Sequence, residues 1–181
     1  DLSDNCLSTL RLLEFARSVS CTKFIFASSM SVYGEVGEGY INESHSTQPL
    51  SMYAIGKLAS ESYLRLFERY SIDSVSLRLF NIYGPGQNMS NLRQGMASIY
   101  LAQAINLGKI EVKGKSNRFR DLVFIDDVVW IIGEFMEREF KGSEVYNVCT
   151  GIKTEVAELV NIIKNTLGDE SLPVSYIEGT P

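Results

Sequence analysis

The stretch Lys23-Phe24-Ile25-Phe26-Ala27 is followed directly by Ser28-Ser29-Met30-Ser31-Val32-Tyr33-Gly34. The first five residues form a short apolar run between polar residues, which predicts a buried β-strand. The serine hydroxyls then stand at the carboxyl end of that strand. Open α/β sheets bind their ligands in a crevice beyond the carboxyl ends of the strands. We therefore expect an α/β fold, a doubly wound parallel sheet, with a ligand site beside these serines.

A helix is predicted from Tyr53 onward. Its expected buried stripe consists of Ile55, Leu58, Ala59, Tyr63, Leu66 and Phe67. Tyr53 and Lys57 lie about one turn apart, so their side chains share one face of this helix. A lysine ammonium near a phenol stabilises the phenolate and lowers the phenol's pKa from about 10. The spacing therefore predicts that Tyr53 exchanges a proton near neutral pH. The simpler interpretation is an ordinary pair on a helix surface.

These two motifs resemble the extended short-chain dehydrogenase/reductase family, and within it the NAD-dependent nucleotide-sugar epimerases and dehydratases, such as UDP-glucose 4-epimerase. The resemblance implies a Rossmann-like fold with Ser29, Tyr53 and Lys57 as catalytic residues. It also implies that Asn5 and Ser28, together with Tyr53 and Lys57, bind NAD. From the sequence alone, Asn5 is equally well explained as a residue of the first helical turn.

Two later segments match motifs of the same family. Arg78-Leu-Phe-Asn81-Ile-Tyr-Gly-Pro85 and Arg120-Asp-Leu-Val123 correspond to stretches whose Asn and Arg contact the diphosphate of the sugar nucleotide. The resemblance therefore assigns Asn81 and Arg120, together with Ser29 and Ser31, to substrate binding. A guanidinium fork matches phosphate oxygens geometrically. Without the resemblance, Asn81 begins a turn and Arg120 belongs to a solvated basic loop.

Composition excludes several other kinds of protein. The 181 residues carry a net charge of −5 and contain no basic cluster, which argues against nucleic acid as a partner. No apolar run reaches the roughly 18 residues of a membrane span, and no signal peptide is recognisable, so a cytoplasmic protein is expected. The cysteines are predicted to be small buried hydrophobic residues rather than disulfide or metal ligands: Cys6, Cys21 and Cys149.

Metal binding is not expected. The single histidine, His45, offers little to a zinc site. Asp126 and Asp127 are adjacent acidic residues at a helix start, which capping and the helix dipole explain without a metal.

The expected organisation has two parts. Residues 1–87 form the C-terminal portion of an NAD-binding Rossmann-like domain. Residues 88–181 form mainly a smaller α/β substrate-binding region, with 122–138 returning to the first domain. The glycine-rich Gly-x-x-Gly-x-x-Gly turn of the family does not occur in the sequence. We therefore expect a fragment that lacks the N-terminal segment, from a protein that forms a homodimer when full length.

The function implied by the resemblance is that of an NAD-dependent nucleotide-sugar 4-epimerase, with a UDP-hexose as substrate. Tyr53, as phenolate, would remove the C4 hydroxyl proton while hydride passes from C4 to NAD, and Ser29 would hydrogen-bond the reacting hydroxyl. The 4,6-dehydratases of the family carry an Asp-Glu pair where Met30-Ser31 stands here, which favours the epimerase. A reductase or a decarboxylase of the family stays open, as does a non-catalytic fragment that acts as an interaction module.

Overall fold

The computed structural model describes residues 2–37, 39–90 and 95–178. A π-helical segment at Leu2–Leu7 precedes the helices α1 (Ser8–Ser18), α2 (Met52–Phe67), α3 (Met96–Leu107), α4 (Ile125–Glu137) and α5 (Val156–Leu167). The strands are β1 (Lys23–Ser29), β2 (Asp73–Leu79), β3 (Asn81–Tyr83), β4 (Ile110–Lys113), β5 (Phe119–Arg120), β6 (Leu122–Phe124), β7 (Ser143–Val148), β8 (Thr154–Glu155) and β9 (Val174–Ile177). Short 3₁₀ turns follow β1 at Met30–Tyr33 and α2 at Glu68–Tyr70.

The first compact unit consists of Asp1–Phe80 and Val128–Val148. Its sheet has the order β1-β2-β7 with all strands parallel. The register places Ser28 beside Arg78, and Arg78 beside Asn147. Three polar side chains are therefore neighbours at the carboxyl end of the sheet. The predicted strand, its serines at the carboxyl end and the parallel α/β fold are confirmed.

Helix α2 is present, but its predicted buried stripe is only partly correct, since Leu58, Ala59 and Tyr63 are half-buried and two members are exposed. Ile55 and Leu66 are 50% and 42% exposed. Phe67 is buried as predicted, and the other buried residues of the helix are Ala54, Gly56, Ser60, Glu61 and Leu64. Leu64 and Phe67 pack with Leu13 of α1 and with Phe26 of β1. The buried face differs in part from the prediction because it includes a carboxylate, at Glu61, that apolar periodicity does not count.

The second unit consists of Asn81–Asp127 and Cys149–Pro181. It contains three strand pairs: β3 with β6 and β4 with β9 are parallel, and β5 with β8 is antiparallel. Its core joins α3 and α5 to β4, with these buried side chains: Tyr100, Ala104, Ile110, Val112, Val156, Leu159, Val160, Ile163 and Leu172. The two units divide the chain at Phe80. The predicted domain boundary at residue 87 and the predicted return over 122–138 stay predictions.

The prediction for the cysteines is correct for one of the three. Cys6 is buried, whereas Cys21 and Cys149 are exposed. Cys21 lies between α1 and β1, where its thiol donates to the carbonyl of Lys23 at 3.2 Å. None of the helices in the described ranges has the length and apolar character needed to cross a membrane.

Candidate functional site

Ser29 ends β1 and caps the 3₁₀ turn at Met30–Tyr33. Its Oγ accepts hydrogen bonds from the backbone N–H of Ser31 at 3.2 Å and from the Ser31 hydroxyl at 2.9 Å. With both acceptor positions of Ser29 in use, its own O–H is left to donate, and no acceptor for it lies within the described part of the chain. The turn therefore brings the Ser29 and Ser31 hydroxyls together at the end of β1.

Lys57 is anchored to the same strand end. Its Nζ donates to the carbonyl oxygen of Ala27 at 2.8 Å and lies 4.9 Å from the ring centroid of Phe26. Burial lowers the pKa of Lys57 below its ordinary value of 10.5. An ammonium group has three donors, and the protein uses one of them among the described residues. Two donors of a half-buried cation are therefore available to a ligand.

Tyr53 lies one turn before Lys57 on α2. The Lys57 Nζ is 5.6 Å from the Tyr53 ring centroid. The Tyr53 side chain is 39% exposed, and its hydroxyl has no hydrogen-bond partner within the described ranges. The structure thus brings Tyr53 and Lys57 together on one helix face, with the phenol open to solvent and the cation beside it. This is the geometry that the Tyr-x-x-x-Lys spacing predicts.

Ser28, by contrast, points into the core. Its hydroxyl is buried and donates to Glu61 Oε1 at 2.5 Å. Glu61 also accepts two bonds from Arg78, at 3.0 Å from Nε and at 2.7 Å from Nη2. Burial alone would lower the pKa of Arg78, but the hydrogen bonds and charge of Glu61, helped by Tyr33, raise it overall. The side chain of Ser28 is committed to this buried ion pair, and its predicted role in cofactor binding stays a prediction.

The ion pair connects to the loop after the serines through aromatic and amide groups. The Arg78 guanidinium lies 4.7 Å from the ring centroid of Tyr33. The Tyr33 hydroxyl donates to Asn147 Oδ1 at 2.6 Å, and the backbone N–H of Asn147 donates to Glu43 at 2.7 Å. The end of β1, the neighbouring strands and the loop that follows the serines are thereby held in one hydrogen-bonded network.

Asn5 lies in the π-helical segment Leu2–Leu7. Its carbonyl oxygen accepts from the Thr9 hydroxyl at 2.8 Å and from the Ser60 hydroxyl at 2.7 Å. Ser60 follows Lys57 by three residues on α2, so this bond ties Asn5 to α2. Single π-helical turns occur frequently at functional sites. This geometry is compatible with the predicted cofactor role of Asn5.

In the second unit, Asp121 organises the surroundings of Asn81. The Asn81 Nδ2 donates to the backbone carbonyl of Asp121 at 2.9 Å. The Asp121 carboxylate accepts from the backbone N–H groups of Thr150 and Gly151, at 2.9 and 2.7 Å, and from the Thr150 hydroxyl at 2.8 Å. Arg120 immediately precedes Asp121, so Asn81 and Arg120 are brought to the same place in this unit.

Arg120 is held by its own strand. It pairs with Thr154 across the β5–β8 ladder, and its Nη1 donates to the carbonyl of Phe119 at 2.8 Å. Within the described residues it makes no ion pair with a carboxylate. The described part of the chain also contains no group of three or more His, Cys, Asp or Glu side chains placed to bind a metal.

A family model covers most of the sequence. Residues 1–149 match the model of the NAD dependent epimerase/dehydratase family. The chain belongs to this family. The chain spans about half the length of the curated relatives it matches, 53% of one of them.

Epimerases are among the most similar proteins of the family. A protein named putative UDP-glucose 4-epimerase from Methanocaldococcus jannaschii is 35% identical over 91% of this chain. The UDP-glucose 4-epimerase of Thermotoga maritima, solved with UDP-glucose, is 32% identical with a TM-score of 0.90, over 99% of this chain and 58% of its own. The UDP-glucose 4-epimerase of Thermus thermophilus, solved with NAD, is 28% identical with a TM-score of 0.86, over 100% of this chain and 59% of its own.

Sequence reasoning missed two carboxylates that hold candidate site residues in place, Glu61 and Asp121. Glu61 follows Lys57 by one helical turn, on the face of α2 that also holds Ala54 and Leu64. A carboxylate at a core position of a helix signals a buried partner, since lone buried charges are costly. Asp121 carried no comparable signal, because its acceptor role depends on a turn 29 residues further along the chain.

Proposed function

We propose that this chain carries the proton-transfer residues and part of the diphosphate site of an NAD-dependent nucleotide-sugar 4-epimerase that acts on a UDP-hexose. One observation carries the proposal. The solvent-accessible phenol of Tyr53 stands beside the half-buried ammonium of Lys57, which β1 anchors through Ala27. A phenol beside a fixed cation is suited to taking and returning a proton.

The residues present fit NAD. Lys57 offers two ammonium donors that the described part of the chain does not use, and these suit the hydroxyls of a nicotinamide ribose. We assign Lys57 and Tyr53, with Asn5, to cofactor binding, and because the Ser28 hydroxyl is bonded to Glu61, a cofactor contact of Ser28 would be made by its backbone. NAD, when bound, would supply a reversible acceptor for the hydride at C4 of the sugar. The T. thermophilus enzyme, which is similar over the whole chain, was solved with NAD.

The chain's own residues have distinct roles in this proposal. Tyr53 takes the proton from the C4 hydroxyl and later returns it to the C4 oxygen. Lys57 stabilises the phenolate form of Tyr53 by its charge. Ser29 donates its remaining O–H to the C4 oxygen, and Ser31 holds Ser29 in the donating orientation. Asn81 and Arg120 bind the diphosphate by hydrogen bonds and charge, which leaves the sugar able to turn over between the two half-reactions.

The 4,6-dehydratase alternative needs an additional acid and base to eliminate water across C5 and C6. The 3₁₀ turn after Ser29 carries Met30 and Ser31 at the position of the Asp-Glu pair of those enzymes, so it offers no carboxylate there. The same turn is used to orient Ser29. These features support the epimerase over the dehydratase.

The two reactions are distinguished by the fate of the hydrogen at C4. The complete gene product that carries this chain is incubated with NAD and UDP-hexose deuterated at C4, and the products are analysed by NMR. A 4-epimerase returns the label to C4 of the epimerised sugar. Appearance of the label at C6 of a 4-keto-6-deoxy sugar would assign the dehydratase reaction instead. Full recovery of unreacted substrate would contradict both and support a non-catalytic chain.

A further inference from the structure

Tyr53, Lys57 and Glu61 follow one another at intervals of four residues along α2. Side chains at this interval share one face of a helix, so the same face carries a phenol, an ammonium and a carboxylate. This face contacts the end of β1 at two consecutive residues. Lys57 donates to the Ala27 carbonyl at 2.8 Å, and Glu61 accepts from the Ser28 hydroxyl at 2.5 Å. Within the described residues, these are the two side-chain hydrogen bonds that join α2 to β1.

The two bonds fix where α2 lies along β1. The Ser28 hydroxyl is buried and donates to a charged carboxylate, which makes its bond to Glu61 a strong one. Successive residues of a strand are about 3.3 Å apart, so a slip of α2 by one residue would break both bonds. Ser29 follows Ser28 directly. The position of Ser29 relative to Tyr53 therefore depends on these contacts.

The carboxylate of Glu61 is itself held rigidly. Arg78 donates to it from Nε at 3.0 Å and from Nη2 at 2.7 Å, in the planar arrangement that an arginine makes with a carboxylate. Both side chains are buried. Apolar residues of similar volume often stabilise a fold as well as a buried ion pair does. Stability alone therefore does not account for charged groups at this place, whereas a fixed geometry does.

Arg78 also contacts the segment on the other side of Ser29. The 3₁₀ turn that Ser29 caps ends at Tyr33, whose ring centroid lies 4.7 Å from the Arg78 guanidinium. The buried Tyr33 hydroxyl donates at 2.6 Å to Asn147, the neighbour of Arg78 on β7. The ion pair thus contacts the residue before Ser29 through Glu61, and the end of the following turn through Arg78.

We propose that Glu61, paired with Arg78, is a positioning residue of the proton-transfer site. Glu61 acts through Ser28 and through the place of α2 along β1, which together fix Ser29 relative to Tyr53. The reaction that this geometry serves rests on the proposed function, whereas the positioning rests on the contacts among β1, β2 and α2. Reacting groups must be held close to their productive positions, and a displacement of about 1 Å costs on the order of 10²-fold in rate.

The first test is Ser28→Ala in the complete gene product. This change removes the bond to Glu61 and leaves the pairing of Glu61 with Arg78 intact. With NAD and a UDP-hexose, kcat should fall by at least about 10-fold, because the reacting groups are displaced. KM should stay at the wild-type value, because we assign the substrate diphosphate to Asn81 and Arg120. A loss confined to kcat indicates that binding of the substrate is unaffected.

Ser62→Ala is the matched control. It removes the same kind of hydroxyl from the residue next to Glu61, but on the exposed side of α2, where Ser62 donates to the Leu58 carbonyl at 3.0 Å. Both kcat and KM should keep their wild-type values. Unchanged kcat in Ser28→Ala would overturn the proposal. An equal loss of kcat in Ser28→Ala and Ser62→Ala would also overturn it, because the effect would then not depend on the bond to Glu61.

The double variant Glu61→Met/Arg78→Met distinguishes positioning from stability. It removes both buried charges, so it should be more stable than either single variant, but it offers the Ser28 hydroxyl no carboxylate. Its kcat should stay about 10- to 100-fold below that of the wild type even where the free energy of unfolding is restored. Recovery of kcat together with stability would overturn the proposal and leave Glu61 a structural residue. Ser28→Ala, which keeps the ion pair, still tests the proposal if the double variant does not fold.

Hydrogen exchange measured by mass spectrometry tests the same contact without turnover. In Ser28→Ala, amides of the turn Met30–Tyr33 and of the first turns of α2 should exchange faster than in the wild type, while those of α5 should not change. If the wild type epimerises a UDP-hexose and Ser28→Ala keeps its kcat, the inference fails and the function stands. If the wild type turns over no UDP-hexose but exchange rises as expected, the function fails and the positioning contact stands. Unchanged exchange in Ser28→Ala would overturn the inference in either case.

Discussion

The buried ion pair between Glu61 and Arg78 should dominate the stability of the first unit. Both side chains are almost fully buried, at 2% and 6% exposure, and two charge-assisted hydrogen bonds join them. Glu61→Met leaves a buried guanidinium without its carboxylate, and Arg78→Met leaves a buried carboxylate with Ser28 as its one remaining side-chain donor among the described residues. Either change should lower the free energy of unfolding by about 3–5 kcal/mol. Two lost charge-assisted bonds at about 1.5–3 kcal/mol each give a similar figure.

The double variant Glu61→Met/Arg78→Met tests the reason for that loss. It removes both charges and fills much of the same volume with apolar side chains, so it should be more stable than either single variant. A loss of about 3–5 kcal/mol is a large part of the roughly 5–15 kcal/mol that stabilises a domain. The double variant should therefore restore cooperative unfolding that a single variant loses.

The assay is urea unfolding followed by far-UV circular dichroism. The slope of the free energy of unfolding against urea concentration should be the same for all variants. The matched control is the exposed pair of Lys109 and Glu111, whose charged atoms lie 3.8 Å apart. Lys109→Met should change the free energy of unfolding by no more than about 1 kcal/mol. If the losses of Glu61→Met and Arg78→Met simply add in the double variant, the two groups do not act as a buried pair, and the reasoning is refuted.

Three further outcomes are expected. In the complete gene product, Tyr53→Phe should lower the proposed epimerase turnover roughly 10²–10⁴-fold, and Ser29→Ala should lower it less. Normal turnover in Tyr53→Phe would exclude Tyr53 as the catalytic base. Folding lowers the pKa of Lys57, so the charge of Lys57 destabilises the fold below that pKa, and this cost disappears as pH rises towards 10.5. Urea unfolding should therefore show the stability of the wild type rising relative to that of Lys57→Met across this pH range. Parallel curves for the two proteins would contradict the burial of Lys57. A Cβ at Gly34 (φ +73°) would lie 2.0 Å from the Gln48 carbonyl oxygen, whereas a Cβ at Gly133 within α4 would meet nothing within 4 Å. In thermal melts, Gly34→Ala should therefore destabilise the protein by more than about 1 kcal/mol, and Gly133→Ala should stabilise it by about 0.5–1 kcal/mol. Equal melting temperatures of the two variants would be inconsistent with this geometry.

The sequence by itself determined the features that depend on neighbours along the chain. The apolar run before Ser28 and Ser29 specifies a strand that ends at hydroxyl groups, because alternation and burial are local patterns. The four-residue interval between Tyr53 and Lys57 specifies a shared helix face, because the helical repeat is fixed. These local facts predicted the strand and the pairing of Tyr53 with Lys57, and the family resemblance that they carry implied the parallel α/β fold.

Only the tertiary structure decided which groups meet across the sheet. Ser28 and Glu61 are 33 residues apart, and Tyr33 and Asn147 are 114 residues apart. Such contacts depend on strand register and on how α2 and the turn after β1 pack on the sheet, which local periodicity does not specify. The buried face of α2 likewise includes Glu61, whose burial is favourable because β2 places Arg78 opposite it. Apolar periodicity predicted this face only in part since it assigns every charge to solvent.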